Sequence, residues 1–325
     1  MKSVIVTGCF GFIGSHFTRL CLESGFYVYG IDSLTYAADQ RQLHKFFIDE
    51  FSGQFEFIQE DISKLKYLPD ADFLVNFAAE SHVDNSIINS EKFINSNIKG
   101  VVRLLDLIKQ KQQYKVPLFI QISTDEVYGD NKTNISYTEE QIPNPSNPYA
   151  ASKLSADYFI LSYHKTHNIS YLIFRPTNNY GVGQHSEKLV PKSIQLLMRG
   201  EKIQLHGNGS FERCWLHVED TCDAILKTLK ESESNEFIKN NIYNISGDEY
   251  IKIKDIAHDI VNNFGEYTEN DNIGHIEFDY YRKGADVNYR INDDLLRRII
   301  HWSPQRKFKD EIKKIIKYTK EHFRW

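Results

Sequence analysis

The feature that most constrains the fold of this chain is a glycine-rich segment that follows a short apolar run at its start. Ser3–Thr7 is rich in β-branched residues, and Gly8, Gly11 and Gly14 follow it with the spacing GxxGxxG. Apolar residues of Phe12–Ser24 then recur at helical spacing. Such glycines permit a tight turn, let a phosphate approach bare backbone and let the helix pack closely on the sheet. Strand, loop and helix together predict a dinucleotide site at the helix N-terminus.

The first half of the chain alternates short apolar segments with longer amphipathic ones. Apolar runs of this kind are typical of strands buried on both faces of a parallel sheet with helical crossovers. We therefore predict an α/β fold, a Rossmann-like doubly wound parallel sheet with a smaller, interleaved C-terminal α/β substrate domain. The predicted strands are Ser3–Thr7, Tyr27–Ile31, Phe55–Gln59, Phe73–Phe77, Leu118–Ser123 and Tyr171–Arg175.

The pattern changes near Pro176, where the regular alternation ends. We predict one domain over residues 1–175 and a second over residues 176–325, with a strand at Asn241–Ile245 that returns to the first domain. The last helix, about Phe308–His322, carries apolar residues on one side and lysines elsewhere, as a solvated helix face does. The predicted boundary is therefore interleaved.

Composition excludes several classes of protein. The 325 residues are 41% hydrophobic and 26% charged, which is ordinary for a globular chain, and the net charge of −5 argues against nucleic acid as a partner. No apolar run approaches the roughly 20 residues of a membrane helix, and the start reads as a strand rather than a signal peptide. Four cysteines without a CxxC pair form no disulfide framework, which favours the reducing cytoplasm. We predict no metal site and no membrane association.

Two carboxylates follow strands of the predicted sheet. Asp32 ends the second strand, where a carboxylate accepts hydrogen bonds from the adenosine ribose and repels a 2′-phosphate. NAD is therefore favoured over NADP as the cofactor. Asp61 follows the third strand, where it can meet the adenine or simply form a turn.

A second group of polar residues points to proton transfer. Thr124, Asp125 and Glu126 follow the fifth strand, and Tyr149 and Lys153 are spaced to share one helix face. A nearby ammonium stabilises a phenolate, so we expect Lys153 to lower the pKa of Tyr149. Such a tyrosine can accept a hydroxyl proton while a hydride leaves the same carbon.

With these motifs, the chain resembles the extended short-chain dehydrogenases/reductases that act on nucleotide sugars, and among them most closely the dTDP-glucose 4,6-dehydratases. The resemblance covers nearly the whole chain and implies NAD as cofactor, a nucleotide-diphosphate hexose as substrate and a homodimer. The dimer is expected to form through the helix with Tyr149 and the one around Val101–Ile108. The segments that carry the resemblance are 33–37, 78–84, 123–129, 178–181, 187–191, and Arg213 with Trp215, Val218 and Asp220.

The adjacent pair Asp125-Glu126 resembles the dehydratase form of the family. In that chemistry Tyr149 takes the 4-hydroxyl proton, which Thr124 hydrogen-bonds, and Lys153 also reaches the nicotinamide ribose. Glu126 removes the C5 proton as a base, and Asp125 protonates the departing C6 hydroxyl as an acid. Asp125 must carry a proton when it acts, so we expect burial or Glu126 to raise its pKa.

The family frame also implies the binding residues. Arg213 is expected to clamp the diphosphate, because its planar guanidinium is always charged. His82 is as well explained by structural hydrogen bonds as by a catalytic role. The implied substrate contacts are Ser81, His82, Asn179, Lys188, Leu189, Arg213 and Arg282. The implied cofactor contacts are Gly8, Phe10, Gly11, Phe12, Ile13, Gly14, Asp32, Asp61, Ile62, Ala78, Tyr149 and Lys153.

Departures from the family pattern keep alternatives open. Cys9 and Phe10 stand where many relatives have small residues, and Cys214 replaces an acidic residue. Residues 181–186 differ from the usual stretch beside the base, which leaves dTDP and UDP open, as well as glucose and N-acetylglucosamine with or without C5 inversion. The remaining alternatives are a 4-epimerase, a UDP-uronate decarboxylase and a non-catalytic nucleotide-binding protein.

Overall fold

The computed structural model describes residues 1–36, 38, 40–111, 115–131, 135–265, 274–280 and 288–322. Its strands are β1 (Ser3–Thr7), β2 (Tyr27–Asp32), β3 (Phe55–Gln59), β4 (Phe73–Asn76), β5 (Leu118–Ile122), β6 (Tyr171–Pro176), β7 (Asn178–Tyr180), β8 (Ile203–His206), β9 (Glu212–His217), β10 (Asn241–Ile245), β11 (Glu249–Lys252) and β12 (Ile276–Tyr280). Its helices are α1 (Phe12–Glu23), α2 (Gln40–Glu50), α3 (Val83–Ile88), α4 (Glu91–Phe93), α5 (Gly100–Gln110), α6 (Pro148–His167), α7 (Leu189–Met198), α8 (Val218–Ser232), α9 (Ile253–Phe264), α10 (Asp294–Ile300) and α11 (Phe308–His322).

The central sheet has seven parallel strands in the order β10-β6-β5-β4-β1-β2-β3. Val6 of β1 lies opposite Gly30 of β2 on one side and Val75 of β4 on the other. After β1 the chain builds outward through β2 and β3, and then returns to build the other half from β4. This reversal between β1 and β4 opens a crevice at the carboxyl ends of the strands, where open α/β sheets bind their ligands. The predicted Rossmann-like fold is confirmed.

The predicted strands agree closely with the observed ones. Each of the first six begins at the residue predicted from the sequence, and each ends within one residue of the prediction. The strand at Asn241–Ile245 pairs in parallel with β6, so it does return to the sheet.

Both faces of the sheet are covered by helices. Val4 and Val6 of β1 contribute to the hydrophobic core under α1, whereas Ile5 between them contributes to the opposite core with α5 and α6. Ile225 and Leu229 of α8 also belong to the core under α1. The interleaving is therefore deeper than the single returning strand suggested, because α8 lies C-terminal to residue 176 and still packs on the nucleotide-binding sheet.

The remaining elements form a smaller lobe with its own core. Strands β7, β9 and β11 make a three-stranded sheet, and β8 pairs in parallel with β12. Helices α7, α9 and α11 pack together there around Tyr180, Ile194, Ile260 and Phe308. The lysines of α11 are exposed, as predicted for a solvated face. Over the part of the chain that the structure describes, no helix is long and apolar enough to cross a bilayer.

Candidate active site

The glycine loop between β1 and α1 is shaped by two close backbone contacts. Gly8 has a φ of +68°, and a Cβ there would lie 2.8 Å from the backbone nitrogen of Ala78. A Cβ on Gly14 would lie 2.0 Å from the carbonyl oxygen of Gly8. The loop is therefore drawn tightly against β4 and against the first turn of α1, which leaves bare backbone facing the crevice.

A cavity of about 270 Å³ lies beside this loop, and Asp32 is among the residues that line it. Asp32 is 8% exposed; its Oδ2 accepts the N–H of Phe10 at 3.0 Å and its Oδ1 accepts the N–H of Leu34 at 2.8 Å. Burial raises the pKa of Asp32, against these two hydrogen bonds. Asp32 thus orients the loop as well as facing the cavity.

The other predicted cofactor residues of this region divide into two groups. Asp61, Ile62 and Ala78 line the same cavity. Asp61 also has the turn role, since its Oδ1 accepts both the N–H and the hydroxyl of Ser63 at 2.8 Å. Phe10 is different, because the residue is 1% exposed and its ring packs among the core aromatic residues Phe47, Phe55 and Phe57. Its backbone N–H, which donates to Asp32, serves the loop instead of its side chain.

The predicted catalytic residues come together in an adjoining cavity, also of about 270 Å³. Gly8 and Gly11 border both cavities, which therefore continue into each other along the loop. The end of β5, the turn that follows it and the start of α6 lie together around this cavity, as the spacing of their motifs predicted. The predicted residues that line this second cavity are Gly8, Gly11, Phe12, Ile13, Gly14, Ser81, Thr124, Asp125, Glu126, Tyr149, Lys153, Asn179 and Lys188.

Asp125 lies in a short 3-10 turn, Asp125–Tyr128, that Thr124 caps. Thr124 Oγ1 accepts the N–H of Glu126 at 3.3 Å and lies 3.4 Å from Asp125 Oδ1. Asp125 is 3% exposed, and its Oδ2 has no hydrogen-bond partner among the described residues. Burial, aided by the charge of Glu126 and opposed by Arg213, raises the pKa of Asp125 to about 8. The expected rise is therefore present, and Asp125 holds a proton at neutral pH.

Glu126 is joined by Asn147 to α6, the helix that carries Tyr149. The Asn147 side-chain amide donates to Glu126 Oε2 at 3.2 Å, and its Oδ1 accepts the N–H of Ala150 at 2.9 Å as the N-cap of α6. Sequence reasoning did not identify Asn147 as a site residue. An Asn directly before Pro148 is a helix-start signal that could have drawn attention to it.

The predicted fall in the pKa of Tyr149 is wrong. Tyr149 is buried, and burial together with Glu126 raises its pKa instead of lowering it. Lys153 is 3% exposed, and burial lowers its own pKa to about 8. The sequence showed that the ammonium and the phenol share a helix face, but not that both are withdrawn from water, which penalises both charged forms.

A third cavity, of about 550 Å³, opens from the catalytic cavity toward the smaller lobe and shares Ser81, Glu126 and Lys188 with it. Arg213 of β9 lies in its wall, with its guanidinium 4.7 Å from the centre of the Tyr289 ring. A cation–π contact of this kind holds the planar fork in one orientation. His82 and Leu189 also line this cavity.

Several of the predicted substrate-binding residues form hydrogen bonds within the protein. His82 caps α3, with its Nδ1 accepting the N–H of Asn85 at 3.4 Å, and Lys188 Nζ donates to the Ser81 carbonyl at 2.9 Å. Asn179 accepts from the Thr221 hydroxyl at 2.7 Å and donates to the Thr177 carbonyl at 3.0 Å, so its amide fixes the wall of the catalytic cavity. Arg282 lies outside the described residues.

The residues present fit NAD. The close backbone contacts at Gly8 and Gly14 exclude side chains there, so the loop presents bare backbone beside the N-terminus of α1, as a bound pyrophosphate requires. Asp32 lies in the cavity on one side of the loop, where a ribose would meet a carboxylate. Tyr149 and Lys153 line the cavity on the other side.

The chain matches the family model described as GDP-mannose 4,6 dehydratase over residues 5–315. It is 37% identical to the low-salt glycan biosynthesis protein Agl12 of Haloferax volcanii, covering 97% of each chain. It is 32% identical to dTDP-glucose 4,6-dehydratase of Streptomyces griseus, covering 99% of this chain and 95% of the relative. Among solved structures, the dTDP-glucose 4,6-dehydratase DesIV of Streptomyces venezuelae, with NAD and TYD bound, superimposes with a TM-score of 0.88 at 31% identity, covering 99% and 98% of the two chains.

Proposed function

The chain belongs to the family of NAD-dependent nucleotide-sugar 4,6-dehydratases, and we propose that its substrate is a nucleoside-diphosphate glucose, which it converts into the 4-keto-6-deoxy sugar. The observation that carries the dehydratase chemistry is Asp125, a buried acid with a pKa of about 8 directly beside a second carboxylate. Loss of water requires an acid for the departing hydroxyl and a base for the adjacent carbon. A 4-epimerase requires neither of these groups.

We assign the first proton transfer to Tyr149, with Thr124 holding the 4-hydroxyl and Lys153 stabilising the phenolate. NAD, when bound, would supply the redox chemistry, as the acceptor of the hydride from C4 and the donor of the hydride to C6. Because burial raises the pKa of Tyr149, its proton transfer depends on positive charge close by. Lys153 is the side chain on the same helix face that can provide it.

We assign the elimination to the two carboxyl groups of the turn. The C4 ketone acidifies the C5 hydrogen, and Glu126 takes that proton as a carboxylate base. Asp125 gives its proton to the C6 hydroxyl, which leaves as water and produces a C5=C6 double bond. After hydrogen returns to C6, Glu126 gives a proton back to C5. Burial of Asp125 keeps its proton in place at neutral pH until that step.

We assign the third cavity to the nucleoside diphosphate. Arg213 is the cation for the diphosphate, and Lys188 is a second cation in the wall of the same cavity, while Ser81, His82, Asn179 and Leu189 border the sugar and the nucleoside. The role of Arg282 stays a prediction. In this division residues 1–175 bind NAD and most of residues 176–325 enclose the sugar nucleotide.

The experiment that tests the reaction uses C4-deuterated sugars linked to dTDP and UDP, glucose and N-acetylglucosamine each. We expect loss of one water and appearance of the deuterium at C6 by mass spectrometry, with dTDP-glucose as the best substrate. Products that keep every oxygen and differ only in C4 configuration would support an epimerase instead, and release of carbon dioxide from a UDP-uronate would support a decarboxylase. NMR of the product also reports whether C5 is inverted.

We further propose that the enzyme is a homodimer that works in the cytoplasm. Tyr158 and Phe159 on α6 are 53% and 40% exposed, and such apolar side chains on a helix face favour an interface. All four cysteines are buried and free, which suits a reducing compartment.

A further inference from the structure

A buried ion pair lies behind the catalytic residues, and the chemistry above does not use it. Asp157 is one helical turn beyond Lys153 on α6 and is fully buried. Its Oδ2 accepts hydrogen bonds from Arg175 Nη2 at 3.0 Å, Arg175 Nε at 3.2 Å and Ser123 Oγ at 3.0 Å. Arg175 is 2% exposed, so the whole pair is withdrawn from solvent.

The pair connects the two elements that carry the catalytic groups. Ser123 directly precedes Thr124 at the end of β5, and Arg175 stands near the end of β6. The Arg175 guanidinium lies 4.9 Å from the centre of the Tyr128 ring, which closes the turn with Asp125 and Glu126. Asp157 and Arg175 therefore tie α6 to the acid–base turn.

Stability is a weak explanation for such a pair. Desolvating two charges costs about as much as their attraction returns, and apolar replacements of buried pairs are often neutral. Asp157 Oδ1 has no hydrogen-bond partner among the described residues, which adds to the cost. A carboxylate kept here, on the helix face of Lys153, therefore suggests a role toward that lysine.

The charges around Lys153 show what that role is. Burial lowers the pKa of Lys153 to about 8, and the Asp157 carboxylate opposes this fall. In return, Lys153 and Arg175 both oppose the rise that burial causes in the pKa of Asp157. The carboxylates that raise the pKa of Tyr149 are Glu126 and Asp125 on the turn and Asp157 itself, so Asp157 acts on both members of the tyrosine–lysine pair.

We propose that Asp157, held by Arg175 and Ser123, is a positioning residue that keeps the Lys153 ammonium charged and in place beside Tyr149 during proton transfer. The use of the Lys153 charge in catalysis rests on the proposed function, whereas the effect of Asp157 on the Lys153 charge does not. Removing the Asp157 carboxylate takes away the charge that raises the pKa of Lys153 against burial. Removing Arg175 leaves Asp157 as an unbalanced negative charge. The two changes must therefore act on Lys153 in opposite directions.

The test is an NMR titration of lysine labelled with ¹³C at Cε, with the Lys153 signal identified by its loss in Lys153→Met. In Asp157→Asn we expect the pKa of Lys153 to fall by about one or more, and in Arg175→Met to rise. Asp157→Glu keeps the charge and should restore a value near 8. Asp220→Asn removes another buried carboxylate that pairs with an arginine, the partly exposed Arg306, in the first turn of α8, and should leave Lys153 unchanged.

Kinetics of the same variants separate this proposal from the proposed function. The alkaline limb of kcat/KM should move to lower pH in Asp157→Asn, together with the NMR pKa. Absence of dehydratase activity in the wild type would contradict the proposed function and leave the NMR result valid. If Asp157→Asn does not fold, Arg175→Met still carries the test. The proposal would be overturned if a folded variant had the same Lys153 pKa as the wild type, or if Asp157→Asn and Arg175→Met shifted this pKa in the same direction.

Discussion

At the residue scale, replacing each of the two neighbouring carboxyl groups by an amide should impair a different step of the reaction. Asp125→Asn keeps the shape but has no carboxylic proton to give, so we expect kcat for water loss to fall by about 10²- to 10⁴-fold with little change in KM. Glu126 remains, so exchange of the C5 hydrogen with deuterated water should continue, as NMR can measure. In Glu126→Gln both exchange and water loss should fall. Loss of exchange in Asp125→Asn as well would contradict this division of roles.

The pKa of Asp125 also sets a pH limit for the reaction. Asp125 acts as an acid only while protonated, and its pKa is about 8, so turnover should decline as the pH rises above about 8. The pKa of Lys153 is also about 8, so two protons leave over the same range. We expect the alkaline limb of kcat/KM in the wild type to approach a slope of two on a logarithmic plot. Asp125→Asn should retain a limb of slope one, and a flat profile through pH 9 would contradict both assignments.

At the element scale, the contact between the glycine loop and α1 predicts a defect in stability. Because a Cβ on Gly14 would lie 2.0 Å from the Gly8 carbonyl oxygen, Gly14→Ala must shift the loop or the helix. We expect the free energy of unfolding to fall by about 1–3 kcal/mol, measured by urea denaturation, and NAD affinity to fall with it. Gly274→Ala is the matched control, since no atom of the described residues lies within 4 Å of its added methyl group. Equal stability of the two variants would contradict the close packing.

The elements differ in how far the sequence determines them. Strands such as β1 and β5 were predictable to within a residue because burial on both faces leaves an apolar run with sharp ends. The packing of α8 on the sheet could not be predicted. An apolar helix face can pack against either lobe, and tertiary contacts determine which one it meets. The predicted catalytic residues could be grouped because one motif follows β5 and the other places Tyr149 and Lys153 on one face of α6. The inward turn of Phe10 and the raised pKa of Tyr149 depend on burial, which local sequence does not report.

At the scale of the whole molecule, three connected cavities follow the crevice from the sheet to the smaller lobe. The first contains Asp32, the second the acid–base groups and the third Arg213, an order that matches the proposed positions of adenosine, reacting carbons and diphosphate along the crevice. The net charge of −5 gave no hint of an anionic ligand. A diphosphate needs only a few local cations and a helix N-terminus, which the overall charge does not reveal.

The proposed dimer can be tested on the outer face of α6. Tyr163 Oη donates to Asp106 Oδ1 at 2.8 Å, which fixes α6 against α5 and makes the two helices one rigid surface. Tyr158 is 53% exposed on that helix, and burial of such a ring against a second copy removes apolar area from water. We expect Tyr158→Glu to convert the dimer to single chains by light scattering, because a carboxylate at the interface would be desolvated.

Phe237→Glu serves as the control, since that ring is 92% exposed in a short turn after α8 and should tolerate charge without change of mass. A wild-type mass of one chain would contradict the dimer itself. A dimer that survives Tyr158→Glu would place the interface on another face. Since Tyr149, Lys153 and Asp157 all lie on α6, an interface along its outer face would also hold the catalytic helix from behind, so dissociation should lower kcat as well as mass.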